Sequence, residues 1–227
     1  MKKIGLVAAM AKELNVFLKN VGVEKNKYTT GPFTVYEFEK DGKSLFVTDS
    51  GVGEVSSSLA TQILITVYGV EGVINFGVCG SLDSSLKVAD IVFGKSVYHF
   101  DRDTSLLDNC PVGYYTEYQT DKLSSKDDLL VLASNLFPDI KSVVVASSEK
   151  FVANSQLKQE LYNKGARVCE MEALGVTLTC IKNDLPCLLV KAISDNADEK
   201  AQMSFNEMLT IAMEKCSAIV QKIIQNI

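Results

Sequence analysis

Several residue types are scarce in this chain, and each scarcity removes a class of function. There is no tryptophan, one histidine (His99), four prolines and only two arginines, Arg102 and Arg167. With one imidazole, a zinc site would have to lean on cysteines, and the six cysteines (Cys79, Cys110, Cys169, Cys180, Cys187, Cys216) show no C-x-x-C pairing. No metal is therefore expected. Most of the cysteines lie in apolar runs such as LTCI and PCLLV, which suits reduced, buried thiols and a cytoplasmic location. The 23 basic residues are almost all scattered lysines, outnumbered by 28 acids. Without a basic stripe, nucleic acid is a poor partner. No apolar run reaches the ~20 residues needed to cross a bilayer, so no membrane partner is expected. MKKIGLVAAMAKEL starts like a signal peptide but runs straight into the amphipathic AKELNVFLKN, which reads as a first strand and helix.

What is present suits one globular unit. The chain has 227 residues, 47% hydrophobic and 22% charged, with no Pro/Gly/Ser-rich tract, and a single domain over residues 1–227 is expected. Short β-branched runs alternate with helical patterns. KIGLVAA (3–9) reads as a strand followed by a helix from Ala11 to about Asn20; FTVYEFEK and KSLFVTDS form a hairpin turned by Asp41-Gly42. EVSSSLATQILITVYG has helical spacing, and GVINFG, DIVFGKSVY, KSVVVAS and CLLVKAIS read as strands buried on both faces. Further helices span 156–164, 172–182 and 204–227. This alternation predicts a mixed, largely parallel sheet covered by helices, with its site at the carboxyl ends of strands.

Polar residues collect where that rule places a site. Met10 and Glu13 follow the first strand; Gly77 and Gly80 follow INF; Glu170 and Glu172 follow ARVC; Ser194 and Asp195 follow LVKAI. Each has a plainer reading. DSGVGEV offers glycines before a helix, for an anion or merely for a turn. Gly77 and Gly80 suit a close backbone approach to a ligand or a tight turn. Glu170 and Glu172 share a face if the chain is extended there, or are acids at a helix N-terminus. Asp195 is a partly desolvated acid at the mouth of an apolar strand, or a turn cap. Phe151 could stack on a flat ligand or pack at the edge of the core.

The ordered set IGLVAAMAKEL, SGVGEV, NFGVCGSL, YHFDRD, SSEKFV, CEMEALGV and VKAISDNAD resembles the 5'-methylthioadenosine/S-adenosylhomocysteine nucleosidases of the purine nucleoside and uridine phosphorylase superfamily. That resemblance implies a three-layer α/β/α fold with a mixed, distorted central sheet, a homodimer, a purine nucleoside substrate and no cofactor. It implies that Asp195 protonates N7 of the purine and that Glu13 activates water. Met171 and Glu172 would hold the ribose, Phe151 would stack on adenine and the Val152 backbone would read its edge. Met10 and Phe205 would line the 5' side, with Gly80 and Ser194 close to the ligand. Val78 stands where the family usually has serine, and Lys191 where it has an arginine that helps to hold the water. Phosphorolysis is the alternative, but a phosphate site wants arginine, and AAMAKELN offers Glu13 instead.

Overall fold

The structure, a computed structural model, describes the backbone of residues 1–227 and all side chains except those of residue 20 and residues 202–207. The N-terminal half runs β1 (Lys3–Ala8), α1 (Ala11–Val21), β2 (Glu24–Thr30), β3 (Phe33–Lys40), β4 (Lys43–Asp49), α2 (Glu54–Tyr68), β5 (Val73–Ser81), β6 (Ile91–His99) and the single turn α3 (Ser105–Asp108). It continues through α4 (Asp128–Leu136), β7 (Lys141–Ser147), α5 (Ser155–Asn163), β8 (Ala166–Glu170), α6 (Ala173–Lys182), β9 (Cys187–Asp195) and α7 (Ala201–Asn226).

The nine strands make one mixed sheet in the order β2-β3-β4-β1-β5-β8-β7-β6-β9, and β9 returns to pair with β5. That last pairing closes five strands on themselves, which is the physical content of the expected distortion. Parallel pairs hold only a narrow majority, because β2–β3, β3–β4, β5–β8 and β6–β9 are antiparallel. Every residue of β5 and β9 is buried, as continuous apolar runs require. Helices α1, α4 and α7 cover one face through Leu14, Phe17, Leu129, Met213 and Val220. Helices α2 and α6 cover the other through Ala60, Leu64, Val176 and Cys180, giving three layers.

The polar strand β2 (EKNKYTT) escapes the apolar pattern because six of its seven residues are exposed. It is an edge strand, held by β3 and guarded by lysines.

The closure decides where the site lies. β5 and β9 run parallel, as do β7 and β8, but β8 runs against β5 and meets it only through Gly80–Cys169 and Ser81–Val168. Because those pairs lie near the last residues of both strands, the carboxyl ends of two opposed blocks converge on one place.

Candidate active site

A cavity of about 510 Å³ opens at that convergence, a volume suited to a nucleoside-sized ligand. The segments lining it follow β1 (Ala9, Met10, Glu13), end β5 (Val78–Gly80), follow β7 (Lys150–Ala153), join β8 to α6 (Cys169–Glu172) and end β9 (Ser194, Asp195).

Glu13 lies in the first turn of α1 and is 1% exposed. Its Oε2 accepts the N–H groups of Ala9 (3.1 Å) and Met10 (3.0 Å), and its Oε1 accepts that of Val78 (2.9 Å). Burial raises its pKa, while the Val78 N–H, the Lys191 charge and the other two N–H groups pull it down. A Cβ on Gly77 would stand 2.7 Å from Glu13 Oε1, so the missing side chain makes room for this carboxylate.

Asp195 closes β9 at a bulge. Cys79 faces Ile193 and Gly80 faces Asp195, so Ser194 is the extra residue, and such bulges re-aim side chains. Oδ1 accepts the Ala197 N–H and Oδ2 the Ser194 hydroxyl, both at 2.8 Å. Burial raises the Asp195 pKa against these two bonds. A Cβ on Gly80 would stand 2.9 Å from Oδ1. Neither strand glycine sits in a turn: each clears the space beside a buried acid.

The two glutamates of CEME take different work. Glu170 ends β8, and its carboxylate accepts the N–H groups of Glu172 and Ala173 at the head of α6 while binding Lys191 Nζ at 2.7 Å. Lys191 is 1% exposed and does not line the cavity. Placing it among the ligand-contacting residues therefore needs correction: its ammonium is taken by Glu170, where it balances buried charge. Burial opposes the charge of Lys191, yet Glu170, Glu172 and Glu13 hold its pKa above the usual lysine range. Glu172 caps α6, and its Oε1 accepts the Gly53 N–H at 3.0 Å. Burial first, then Glu170, push its pKa up to about 7. Gly53, with φ +104°, thus presents its N–H to an anion, but the anion belongs to the protein.

Met10, Gly80, Phe151, Val152, Met171, Glu172 and Ser194 all line the cavity with Glu13 and Asp195. Phe151 is 49% exposed at its rim, whereas Val152 is buried. The Phe205 side chain lies outside the described residues. Lining residues given no role in the sequence include Val52, Lys150 and Cys169; their only signal is that they lie inside the motifs SGVGEV, SSEKFV and CEMEALGV. Arg102 packs over the Tyr115 ring and donates to the Tyr114 carbonyl, while Arg167 pairs with Asp83 and packs over Tyr162. Neither arginine lines the cavity.

A family model described as the phosphorylase superfamily matches residues 3–225. The chain belongs to that superfamily. Within it, the chain is similar to an aminodeoxyfutalosine nucleosidase of Helicobacter pylori, 34% identical with 92% of each chain covered. It is also similar to a 5'-methylthioadenosine/S-adenosylhomocysteine nucleosidase of Actinobacillus succinogenes, 30% identical with 96% of each covered. The solved Helicobacter pylori 5'-methylthioadenosine/S-adenosylhomocysteine nucleosidase with butyl-thio-DADMe-Immucillin-A superposes with a TM-score of 0.95 at 31% identity, over 100% of this chain and 99% of that one. These relatives place the chain among the superfamily's nucleosidases, and so among enzymes that hydrolyse N-glycosidic bonds.

Proposed function

We propose that this enzyme hydrolyses the N-glycosidic bond of 5'-methylthioadenosine, S-adenosylhomocysteine or both, releasing adenine and the 5'-thio-ribose. The observation that carries the reading is the pair of buried acids, Glu13 and Asp195, brought from opposite ends of the chain to one cavity. Asp195, whose burial favours the protonated form, is the acid that gives N7 its proton so that adenine leaves neutral. Glu13 activates the water that attacks the sugar, in the division of labour between two carboxyls known from glycoside hydrolysis.

The transition state is ribosyl-cation-like, so a carboxylate hydrogen-bonded to the ribose hydroxyls tightens its hold as positive charge develops. Glu172 has that role, beside Met171. Gly53 fixes one of its oxygens. Phe151 stacks on adenine and the Val152 backbone reads its edge, while Met10 lines the 5' side.

Water is preferred to phosphate as the nucleophile because neither arginine lines the cavity and Glu13 would repel an anion. A second substrate, aminodeoxyfutalosine, is favoured by the 34% identical relative that is named for it.

The protein acts as one domain in the cytoplasm and pairs as a homodimer. Six free cysteines support the compartment. The exposed apolar residues Val55, Leu59 and Val67 on α2, with Val52 just before it, support the dimer. No helix among the described residues is long and apolar enough to cross a membrane.

The deciding experiment is product analysis with 5'-methylthioadenosine, S-adenosylhomocysteine, aminodeoxyfutalosine and inosine, with and without phosphate. Free adenine and unphosphorylated sugar at equal rates in both buffers are expected. Phosphate dependence with a sugar 1-phosphate product would overturn hydrolysis. Light scattering should give twice the chain mass.

A further inference from the structure

One group of ligand-type side chains lies outside the cavity and has no part in the chemistry above. Glu54 opens α2, His99 ends β6, and Asp101 follows two residues later. His99 Nε2 stands 2.9 Å from Asp101 Oδ1 and 3.3 Å from Glu54 Oε2, and the ligand atoms of all three residues lie within 4.8 Å of one another. Glu54 is 8% exposed, and its Oε1 is buried without a partner at good hydrogen-bond geometry among the described residues, with the Ser147 hydroxyl beside the same carboxylate. A buried carboxylate oxygen without a partner is rare in folded proteins and calls for an explanation.

The geometry points to a divalent transition-metal site, zinc in the first place, held by Glu54, His99 and Asp101. Ligand atoms ~2.0–2.1 Å from a tetrahedral zinc lie roughly 3.3 Å from one another, which is the separation between His99 Nε2 and Glu54 Oε2. Asp101 Oδ1, now 2.9 Å from His99 Nε2, would draw back to a similar separation. Three protein ligands leave a fourth position for water. Outer support is also in place: the Tyr115 hydroxyl is 2.8 Å from His99 Nδ1. A metal-binding histidine gives its other N–H to such an oxygen, which fixes the tautomer and turns the Nε2 lone pair toward the metal.

A proton alone explains less. Placed on Nε2, it sets one positive charge against two carboxylates, Glu54 and Asp101; a divalent ion balances both. The sequence reading overlooked this set because it looked to cysteines for the remaining ligands, whereas the fold supplies carboxylates distant in the chain. The site would also fasten the start of α2, where Gly53 holds Glu172.

The test uses tag-free protein carrying Cys110→Ser, since Cys110 is the one cysteine that is not buried. After treatment with chelator, the protein is titrated with Zn²⁺ against a competing indicator and with Co²⁺ by visible absorption. One ion per chain, a four-coordinate Co²⁺ spectrum and a higher Tm with Zn²⁺ are expected. Glu54→Gln, which keeps the shape of the site, and His99→Asn should each weaken binding by at least about tenfold. Tyr115→Phe should weaken it by about tenfold through the outer contact. Equal Zn²⁺ affinity in wild type and Glu54→Gln, or no ion bound by the wild type at micromolar Zn²⁺, would overturn the proposal and leave a proton-bridged cluster.

Discussion

Two groups of carboxylates, the inner buried and the outer partly so, flank the start of α2, and they are neutralised in opposite ways. The inner group, Glu13, Glu170 and Glu172, surrounds the fixed cation of Lys191. The outer group, Glu54 and Asp101, has His99 between its carboxylates, and burial followed by the charge of Asp101 pushes Glu54 up to about 8. A lysine keeps its own charge across the working pH range, even though Glu172 near it is still pushed up to about 7 by burial and Glu170; a histidine leaves the balance to protons or to another cation. Fixed compensation is found beside the cavity that Glu13, Glu170 and Glu172 line.

The sharpest contrast should come from the acids themselves. Asp195→Asn and Glu13→Gln should each lower kcat by roughly 10²–10⁴-fold, with the melting temperature retained and, for Glu13→Gln, substrate binding preserved in calorimetry. Near-normal kcat in either variant would remove it from the mechanism.

Next in size is Lys191→Met, which strands three buried acids without their cation. A loss of about 3–5 kcal/mol in urea unfolding near neutral pH is expected. A loss below about 1 kcal/mol would mean that protons had replaced the lysine and that the two groups are alike.

Glu172→Gln should work the other way. Because the folded pKa is raised from 4.5 to about 7, folding binds a proton between these values, so stability is full below about 4.5 and is lost as pH rises through about 7. Glutamine avoids burying that charge. The variant should be more stable at pH 8 by roughly 1–3 kcal/mol, with the gain vanishing near pH 4, while kcat falls. Unfolding at both pH values, set beside turnover, checks the trade.

The smallest effect belongs to His99→Asn in metal-free protein. Glu54 can take up a proton in place of the imidazole's contact, so a loss of about 1 kcal/mol is expected. A loss as large as that of Lys191→Met would erase the distinction between the groups.

Much of this was legible in the sequence, for identifiable reasons. Continuous apolar runs marked β5 and β9, which are buried on both faces as expected, and also β6 and β7, although β6 exposes Lys95 and β7 its first two residues. β2 was silent because almost all its residues face solvent. Motif order pointed to the cavity, since its walls are the segments that follow strands. The division between Glu170 and Glu172 was not legible, as it depends on Lys191 and Gly53 arriving from elsewhere. Gly77 and Gly80 read as turn or ligand glycines, because nothing in NFGVCGSL says that Glu13 and Asp195 will press against them. The places of the two arginines were not legible either: Arg102 packs over Tyr115, and Arg167 over Tyr162 while pairing with Asp83.

The closing pair of strands also governs how the molecule is made. Residues 73–80 find their β9 partners only at residues 187–195, so a ribosome must deliver the chain through Asp195 before the catalytic cavity has its second wall. Until then β5 exposes one of the most apolar edges of the nascent chain. Synthesis, rather than the finished enzyme, is the stage at which this protein is most open to wrong strand partners and most in need of a chaperone's cover.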